Sequence, residues 1–569
     1  MTMKKIKTIY TKGLLILGLL AICTSCSDAL ELEPETTWAA EEFYGNETDI
    51  NAALAGIHSH LSSYNGFGFT IQQMAMGTDE SYKLKSWNER FPAGIMSHNP
   101  ASEGVTALYQ NFYGGINNCN NFIKYIDPAN FEEEEDYNNF LGEARFLRGF
   151  FYYHLTLWYN EIPLRLEPTK DQSSNHMAPS PVEVIYQQII DDFTFAAENC
   201  RSAFDAKYVP GHTNSMAAHA MLAKIYLKAA GYPLQASEIN GKNPYQAAKD
   251  HCAIIMNDGN HSLNSSYKDV FLNYIQNRFD LSETLFEVAY SNGTALGLNI
   301  GGRIGSFNGL FYGINGSRIN EPVSQPEISP GPVHEYIYEE NDSLRSHWNN
   351  PRYGANKNKW NPNGVVTPKN ALDWGYTIGK FRRWDAAYPW DIEKTNEQLN
   401  PIITLETPTP VNQNITGINF PLIRFSDVLL MFAEAANELD GPTAEAVAAV
   451  DLIRNRAGIE NLAIVKPDAV AGKDAFFSEI VDERLRELCF EGHRKHDLIR
   501  WGLLEEKLQE LYESIYYYPA MGNTKAGNHA ANAYKYRAYT RFDPSKHLSL
   551  PYPEQEVLIN NLLDQKPGW

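Results

Sequence analysis

The chain has 569 residues, of which 43% are hydrophobic and 12% aromatic, and this composition is typical of a globular protein rather than a disordered one. Its formal net charge is −21, and a surface this acidic repels the phosphate backbone of nucleic acids. Nucleic acid is therefore excluded as an expected partner, and anionic lipids and acidic polysaccharides are disfavoured as ligands for the same reason.

The first 25 residues have the composition of a bacterial export signal. Four lysines precede a short apolar run, residues 14–22, which is too short to span a bilayer. Ser25 is the small residue that a signal peptidase needs before its cut, and Cys26 stands where a bacterial lipoprotein carries its lipid. We therefore expect a lipoprotein signal peptide at 1–25 and a lipidated tether at 26–40, which anchors the chain without a spanning helix. An ordinary cleaved secretory signal is the alternative.

Apolar residues at helical spacing predict six helices in the first half of the chain. These helices cover residues 41–61, 105–125, 141–159, 181–197, 215–230 and 245–256. The segment 62–100, between the first two helices, is rich in loop-forming residues and contains Asp79 and the run Trp87-Asn88-Glu89-Arg90.

Helical periodicity stops between about residues 257 and 419, where Gly, Asn and Pro recur every few residues. A structureless loop of this length is unusual inside a domain, so we predict an irregular inserted lobe with short strands, docked on the helices. Half of the ten tryptophans lie in 43 residues of this lobe, namely Trp348, Trp360, Trp374, Trp384 and Trp390.

The C-terminal part is again helical. Apolar residues at spacings of three and four predict a helix over 422–439. Gly441 suits a left-handed cap at its end, Pro442 cannot continue it, and Thr443 suits the start of the next helix, which runs to about residue 457. Further helices are predicted near 477–490 and 493–512. Paired helices of this length approach the roughly 34-residue period of tetratricopeptide repeats.

Four segments resemble those of a known family. They are GEARFLRGFFYYHLTLWYNEIPLR, PLIRFSDVLLMFAEAANEL followed by LIRNRAG, ERLRELCFEGHRKHDLIRWG, and the closing HLSLPYPEQEVLINNLLDQKPGW. The chain resembles the SusD/RagB family of Bacteroidetes outer-membrane lipoproteins over essentially its whole mature length. It departs from the family pattern at His496, where an aromatic residue is usual, and we assign no function to this difference.

The resemblance implies a mainly α fold of tetratricopeptide-like stacked helix pairs. Residues 41–569 would form one body, with a helical scaffold at 41–256 and 420–569 and the irregular, ligand-binding lobe at 257–419. It also implies a surface-exposed protein that binds a nutrient, usually a glycan, and caps a TonB-dependent, SusC-like transporter at the outer membrane.

Two irregular segments carry the predicted glycan site. A sugar ring stacks its C–H face on flat aromatic rings, while its hydroxyl groups bind amide, carboxylate and guanidinium groups. The loop after the first helix matches, by position, one that supplies ligand contacts in starch-binding members. The predicted ligand residues are Asp79, Trp87, Asn88 and Arg90 in this loop, and Phe311, Tyr312, Trp348, Trp360 and Trp374 in the lobe. The competing interpretation is that the lobe aromatics fill its core, and we interpret Trp384 as structural.

No catalytic residues are predicted, because the chain has no nucleophile-elbow, P-loop or dinucleotide motif. His493 and His496 would share a helix face, but the three basic residues around them oppose a cation. We therefore predict no metal site and no cofactor, and the sequence leaves open whether a structural calcium ion is bound.

The alternative functions are peptide binding on the same scaffold and, less favoured, glycoside hydrolysis by a pair of carboxylates.

Cys23 belongs to the predicted signal peptide, and acylation there is disfavoured because bulky Ile22 would stand at the cut. Besides Cys23 and Cys26, the cysteines are Cys119, Cys200, Cys252 and Cys489. They are widely spaced, with no CxxC motif, so neither a zinc site nor a disulfide framework is indicated. Each lies in an apolar helical context, and we expect buried free thiols.

Overall fold

The structure is a computed structural model of the chain. It describes residues 43–83, 92–290, 301–310, 312–314, 328–351, 353–357, 367–370, 378–385, 400–402, 415–517 and 538–569. The predicted signal peptide, the predicted tether and Cys26 lie outside the described residues. Within the described part, no helix combines the length and the apolarity that a membrane crossing requires.

The first half of the scaffold is a row of helices in which successive helices pack side by side. These helices are α1 (Glu47–Ser62), α2 (Thr70–Met74), α3 (Glu103–Tyr125), α4 (Glu134–Tyr159), α5 (Val182–Asn199), α6 (Ser215–Ala230) and α7 (Pro244–Met256). Helix α8 (Tyr267–Ile275) follows them in the lobe. All six predicted helices are confirmed. The start of α4 was predicted seven residues late, because its first turn is acidic and lacks the apolar pattern. Acidic residues in the first turn stabilise a helix N-terminus.

The second half continues the row. Helix α9 (Ser343–Asn349) lies in the lobe that precedes it. The helices of the second half are α10 (Phe425–Asp440), α11 (Ala444–Arg456), α12 (Leu462–Val465), α13 (Lys473–Leu488), α14 (Arg494–Arg500), α15 (Leu504–Tyr517), α16 (Ala538–Arg541), α17 (Pro544–His547) and α18 (Glu554–Ile559). Helix α10 packs against α7, α11 and α13, so it joins the two halves of the scaffold. Its apolar stripe lies in the core, and Leu429 is fully buried.

The predicted helix ends agree with the structure at most positions. Gly441 has a φ of 78°, and the Thr443 side chain accepts a hydrogen bond from the backbone N–H of Ala446. Two predictions were wrong. Residues 422–424 belong to a strand, and the helix predicted over 493–512 is two helices, because Gly502 adopts a φ of 72° that ends α14.

Short strands occur in the lobe, as predicted. The strands of the structure are β1 (Ser81–Lys83), β2 (Thr284–Val288), β3 (Tyr312–Ile314), β4 (Ile328–Pro330), β5 (Tyr353–Lys357), β6 (Thr367–Asn370), β7 (Trp384–Asp385), β8 (Asn400–Pro401) and β9 (Phe420–Arg424). Strands β2 and β9 pair antiparallel and lead directly into α10. The lobe also contains the helices α8 and α9, which the sequence analysis did not predict because they are too short to show a clear apolar period.

The core is one large hydrophobic cluster that runs through the helix row and includes residues of β2 and β9. Cys119, Cys200, Cys252 and Cys489 are buried and free, which confirms the expectation of buried thiols. The helical array and the lobe are therefore held partly by a shared apolar core.

Glu287 of β2 is a buried carboxyl group in this core. It is 4% exposed, and one carboxylate oxygen accepts a hydrogen bond of 2.9 Å from the Asn419 side-chain amide. Its Oε2 atom has no hydrogen-bond partner. Burial raises the pKa of Glu287 to about 8, although the hydrogen bond from Asn419 opposes this shift.

The raised pKa of Glu287 predicts a specific pH dependence of stability. The folded protein keeps a proton that the unfolded chain releases near the ordinary glutamate pKa, so this contribution is present at low pH and is lost as the pH rises towards about 8. We expect the free energy of unfolding to fall from about pH 5 to about pH 8 by an amount on the order of 1–4 kcal/mol. Glu287→Gln should remove this fall and be more stable than the parent at the higher pH.

Urea denaturation at both pH values measures the effect, and Glu554→Gln is the control, since Glu554 is exposed. The control should follow the parent at both pH values. The same pH dependence in the parent and in Glu287→Gln would show that Glu287 does not carry the proton.

Candidate functional site

A short two-stranded sheet joins the two segments that the sequence predicts to bind ligand. Strand β1 pairs antiparallel with β4, with Ser81 opposite Pro330 and Lys83 opposite Ile328. The loop that contains Trp87, Asn88 and Arg90 begins immediately after β1, while β4 belongs to the lobe. These three residues lie outside the described residues, so their role as ligand contacts stays a prediction. Strand β1, which leads into their loop, is fixed beside the lobe.

Asp79 does not face a ligand, and its prediction as a binding residue was wrong. Its carboxylate accepts two hydrogen bonds from the Arg494 guanidinium, of 2.9 Å and 2.6 Å, and both residues are buried. Arg494 also donates to the backbone carbonyl of Val481. A bidentate pair of this kind has strong geometric specificity, so Asp79 fixes the base of the loop to α14.

Trp348 was also wrongly predicted to contact ligand. The residue is only 4% exposed, and the Arg382 guanidinium lies 4.0 Å from the centre of its ring. Arg382 also donates a hydrogen bond of 2.7 Å to the backbone carbonyl of Trp348. The cation–π contact and the hydrogen bond place Trp348 in the interior of the lobe.

Along the sequence, the other predicted lobe residues fall in or close to the strands of a small three-stranded sheet. Strand β3 is parallel to β5, and β5 is antiparallel to β6, with Tyr353 opposite Asn370. The chain therefore leaves β6 at the end of the sheet where β3 begins. Phe311, which precedes β3, Trp360 and Trp374 lie outside the described residues. Tyr312 lies in β3, but its side chain is not described.

An exposed aromatic group that the sequence analysis missed lies beside the lobe. Tyr64, just after α1, is 45% exposed, and its ring centre is 4.7 Å from that of Phe69. The Arg303 guanidinium of the lobe lies 5.2 Å from the Tyr64 ring and 4.8 Å from the Phe69 ring. The backbone N–H of Arg303 donates a hydrogen bond of 2.8 Å to Gly68, which fixes this arrangement. We call Tyr64, Phe69 and Arg303 the aromatic platform.

The aromatic platform and the β1–β4 sheet rest on the same small core. Phe69 packs edge to face on Phe307 at 4.7 Å, and both belong to a hydrophobic cluster that also contains Ile328 of β4. The cluster includes Phe490 from the segment before α14. A surface with an exposed aromatic ring and a guanidinium group therefore adjoins the origin of the Trp87 loop.

Buried ion pairs attach the lobe to the scaffold beneath this surface. Arg345 of α9 is fully buried and donates to Asp342 and, at 2.6 Å, to Glu483 of α13. Lys380 of the lobe is fully buried and lies 2.6 Å from Glu491. These contacts join the lobe to the same C-terminal segment that carries Arg494.

Arg424 lies at the centre of the same buried network. It is 1% exposed and donates hydrogen bonds to Glu283, Glu487 and Glu491 at distances between 2.8 and 3.1 Å. Burial raises the pKa of Glu491, but Arg424 and Lys380 outweigh this effect and lower it to about 2. The Glu491 carboxylate therefore stays ionised inside the protein.

His493 and His496 are structural in this fold. Burial lowers the pKa of His493 to about 4, and the His496 ring packs edge to face on Trp158 at 4.4 Å. Both line an internal space of about 60 Å³, which has room for a few water molecules but not for a sugar ring.

A groove of about 270 Å³ near α3 is a second surface to consider. Several polar groups in its lining are already engaged within the protein. The Tyr113 hydroxyl donates to the carbonyl of Pro163, and the Asn120 amide donates to the carbonyl of Arg165. These satisfied groups make the groove less suited to ligand hydroxyls than the aromatic platform.

Comparison with known proteins agrees with the fold. A family model described as "SusD family" matches residues 306–569, and a model described as "Starch-binding associating with outer membrane" matches residues 31–227. The chain belongs to the SusD/RagB family. The two matches leave residues 228–305 unmatched, a stretch that contains α7 and the first part of the lobe, and together they cover most of both helical parts of this SusD/RagB protein.

Individual relatives are similar along most of the chain. A SusD-like protein of Formosa agariphila is 25% identical over 564 residues, which are 95% of each chain. The solved structure of a SusD homolog from Bacteroides thetaiotaomicron is 23% identical and has a TM-score of 0.78, over 93% of this chain and 98% of that one. A laminarin-binding SusD-like protein has a TM-score of 0.66 at 21% identity, over 92% of this chain and 100% of its own. These structures support the SusD/RagB fold.

The buried network predicts that the attachment of the lobe depends strongly on Arg345. Arg345→Met removes the cation from two fully buried carboxylates, Asp342 and Glu483, and an uncompensated buried charge typically costs about 3–5 kcal/mol. We expect a loss of this size in the free energy of unfolding, measured by urea denaturation.

Lys207→Met is the matched control. Lys207 lies 2.9 Å from Glu133, but both side chains are more than half exposed, so this change should cost less than about 1 kcal/mol. A loss in Arg345→Met no larger than that in Lys207→Met would show that the network does not hold the lobe.

Proposed function

We propose that this protein is a cell-surface lipoprotein that captures an oligosaccharide and delivers it to a TonB-dependent, SusC-like transporter of the outer membrane. The observation that carries the proposal is the aromatic platform, with Tyr64 exposed and Arg303 beside it. A ring face and a guanidinium group are the two kinds of partner that a sugar needs, one for its C–H face and one for its hydroxyl groups.

The composition of the platform supports a shallow site built from both parts of the protein. Tyr64 comes from the scaffold and Arg303 from the lobe, and the loop with Trp87, Asn88 and Arg90 begins at the adjoining β1–β4 sheet. In this proposal Trp360, Trp374, Phe311 and Tyr312 extend the same surface from the lobe. An open site gives modest affinity, which suits a protein that must release its cargo to a transporter.

The nature of the relatives supports a glycan as the ligand. One similar solved structure is a laminarin-binding SusD-like protein, and laminarin is a neutral polysaccharide. The formal net charge of −21 also favours a neutral glycan over an acidic one. We infer binding rather than hydrolysis, since the carboxylate at the base of the site, Asp79, is held by Arg494.

The lipid anchor is a separate prediction of this proposal. Cys26→Ala should release the mature protein from the outer-membrane fraction, because the residue that accepts the lipid is lost. Cell fractionation with immunoblotting measures this. Cys23→Ala is the matched control and should stay with the membrane. A membrane-bound Cys26→Ala protein together with a released Cys23→Ala protein would place the lipid on Cys23 instead.

The ligand site is tested by calorimetry with neutral oligosaccharides from laminarin and from starch. Stacking on one aromatic ring contributes about 1–3 kcal/mol, by analogy with base stacking, so loss of one ring should weaken binding by roughly 5- to 150-fold. We expect this loss in Tyr64→Ala and in Trp87→Ala, and in at least one of Trp360→Ala and Trp374→Ala. Arg303→Ala should weaken binding as well.

Tyr232→Ala is the control, since Tyr232 is an exposed aromatic residue in the turn after α6 and should not affect binding. Circular dichroism checks that each variant is folded. Parental affinity in all these variants would move the site elsewhere, and binding of peptides with no binding of any glycan would favour the peptide-binding alternative.

A further inference from the structure

Three side chains that are distant in the sequence meet away from the aromatic platform. They are His58 on α1, Glu143 on α4 and His212 in the segment before α6, and one potential ligand atom from each lies within 4.8 Å of the other two. His212 Nδ1 lies 2.9 Å from Glu143 Oε2, and His58 Nε2 lies 3.9 Å from the same oxygen. The centres of the two imidazole rings are 5.1 Å apart.

The Glu143 carboxylate is buried with only these two histidines as cationic partners. Its residue is 4% exposed, and no lysine or arginine among the described residues forms a salt bridge with it. A buried carboxylate requires compensating positive charge. A cation bound between the three side chains would supply it.

The second oxygen of Glu143 is held in place by the protein. The Asn139 side-chain nitrogen Nδ2 donates a hydrogen bond of 3.0 Å to Oε1, and the Asn139 side-chain oxygen Oδ1 accepts one from the backbone N–H of Arg201. This leaves Oε2 directed at the two histidines. An oriented carboxylate with a hydrogen-bonded second shell is what metal sites use to fix their ligands.

His58 provides the independent sign of a missing partner. Its Nε2 atom is buried and has no hydrogen-bond partner, since 3.9 Å to Glu143 is too long for a hydrogen bond. Ligands of a tetrahedral zinc ion with bonds near 2.0–2.1 Å stand about 3.3 Å from one another. The separations of 2.9 and 3.9 Å lie on either side of this value, so small side-chain rotations bring both nitrogens into position.

We propose that His58, Glu143 and His212 bind a divalent transition-metal ion, Zn²⁺ in the first place. Two imidazole nitrogens and one carboxylate oxygen are a zinc donor set, whereas calcium takes oxygen ligands. A water molecule completes the tetrahedron on the side of His212, whose side chain is 32% exposed. The ion ties α1 to α4 and to the segment before α6.

The sequence analysis predicted no metal site, because no short spacing motif links residues 58, 143 and 212.

The proposal is tested by calorimetry with Zn²⁺ on the tag-free mature protein after treatment with a chelator. The parent should bind one ion, and Zn²⁺ should raise its thermal midpoint. His58→Ala, Glu143→Gln and His212→Ala should each weaken binding by at least about 100-fold, which exceeds the roughly 10- to 100-fold effect of an outer-shell change. Asn139→Ala keeps all three ligands and should fall in that smaller range.

The matched control is His219→Ala. His219 Nδ1 lies 3.1 Å from His251 Nδ1, so this pair also offers two imidazole groups, but no carboxylate completes a three-ligand cluster there among the described residues. The control should bind Zn²⁺ like the parent. An equal loss in His219→Ala and in the cluster variants would mean an adventitious ion only, and would overturn the proposal.

A second measurement decides the outcome if a ligand variant fails to fold. Co²⁺ added to the parent should give the intense visible absorption of a tetrahedral site with nitrogen and oxygen ligands, and Zn²⁺ should displace it. A parent protein that binds neither ion overturns the proposal, and the cluster is then an ion pair between Glu143 and a protonated His212.

Discussion

The structure depends on a buried network of guanidinium and carboxylate groups where the lobe meets α13. Arg424, at the end of β9, contacts Glu283, Glu487 and Glu491, and Lys380 reaches Glu491 from the lobe. Removing one member of such a network leaves another charge buried without compensation. The lobe and the scaffold are therefore expected to fold as a unit, although the lobe contains little regular structure.

This attachment explains how irregular segments form a binding surface. Loops supply most binding residues in proteins, but they do so only when a rigid scaffold positions them. Here the β1–β4 sheet fixes the origin of the Trp87 loop, the Asp79–Arg494 pair fixes its base, and the Phe69–Phe307 contact supports the aromatic platform. The Trp87 loop and the aromatic platform are thus supported by residues of α13 and α14 and of the segment between them.

Helix α1 links this surface to the proposed metal cluster. His58 lies in its last turns, and Tyr64 follows its end by two residues. His60, between them, is held by hydrogen bonds with Asn111 and Asn118 of α3. An ion at His58 would therefore restrain the helix that positions Tyr64, without touching the ligand.

The sequence predicts the helices well, because apolar residues repeat every three or four positions along α5, α6 and α10 and because Gly441 and Thr443 mark a boundary. It does not predict contacts between distant residues. Asp79 stands near Trp87 in the sequence and resembles a ligand residue, but its partner Arg494 is 415 positions away. Trp348 was likewise predicted to bind ligand because its partner Arg382 cannot be recognised from the sequence. The contact between Tyr64 and Arg303 also leaves no pattern in the sequence that would predict it.

Hydrogen–deuterium exchange with mass spectrometry, with and without a bound neutral oligosaccharide, tests the central claim most directly. The account predicts slower exchange on binding in peptides that cover residues 62–70 and 301–310, because these segments carry the aromatic platform. It predicts the same for peptides that cover residues 84–91, because this segment follows β1 and contains the predicted ligand residues. Helix α5, which lies within the scaffold, should not change. Slower exchange confined to peptides of the groove near Tyr113 and Asn120, with no change around Tyr64 and Arg303, would contradict it.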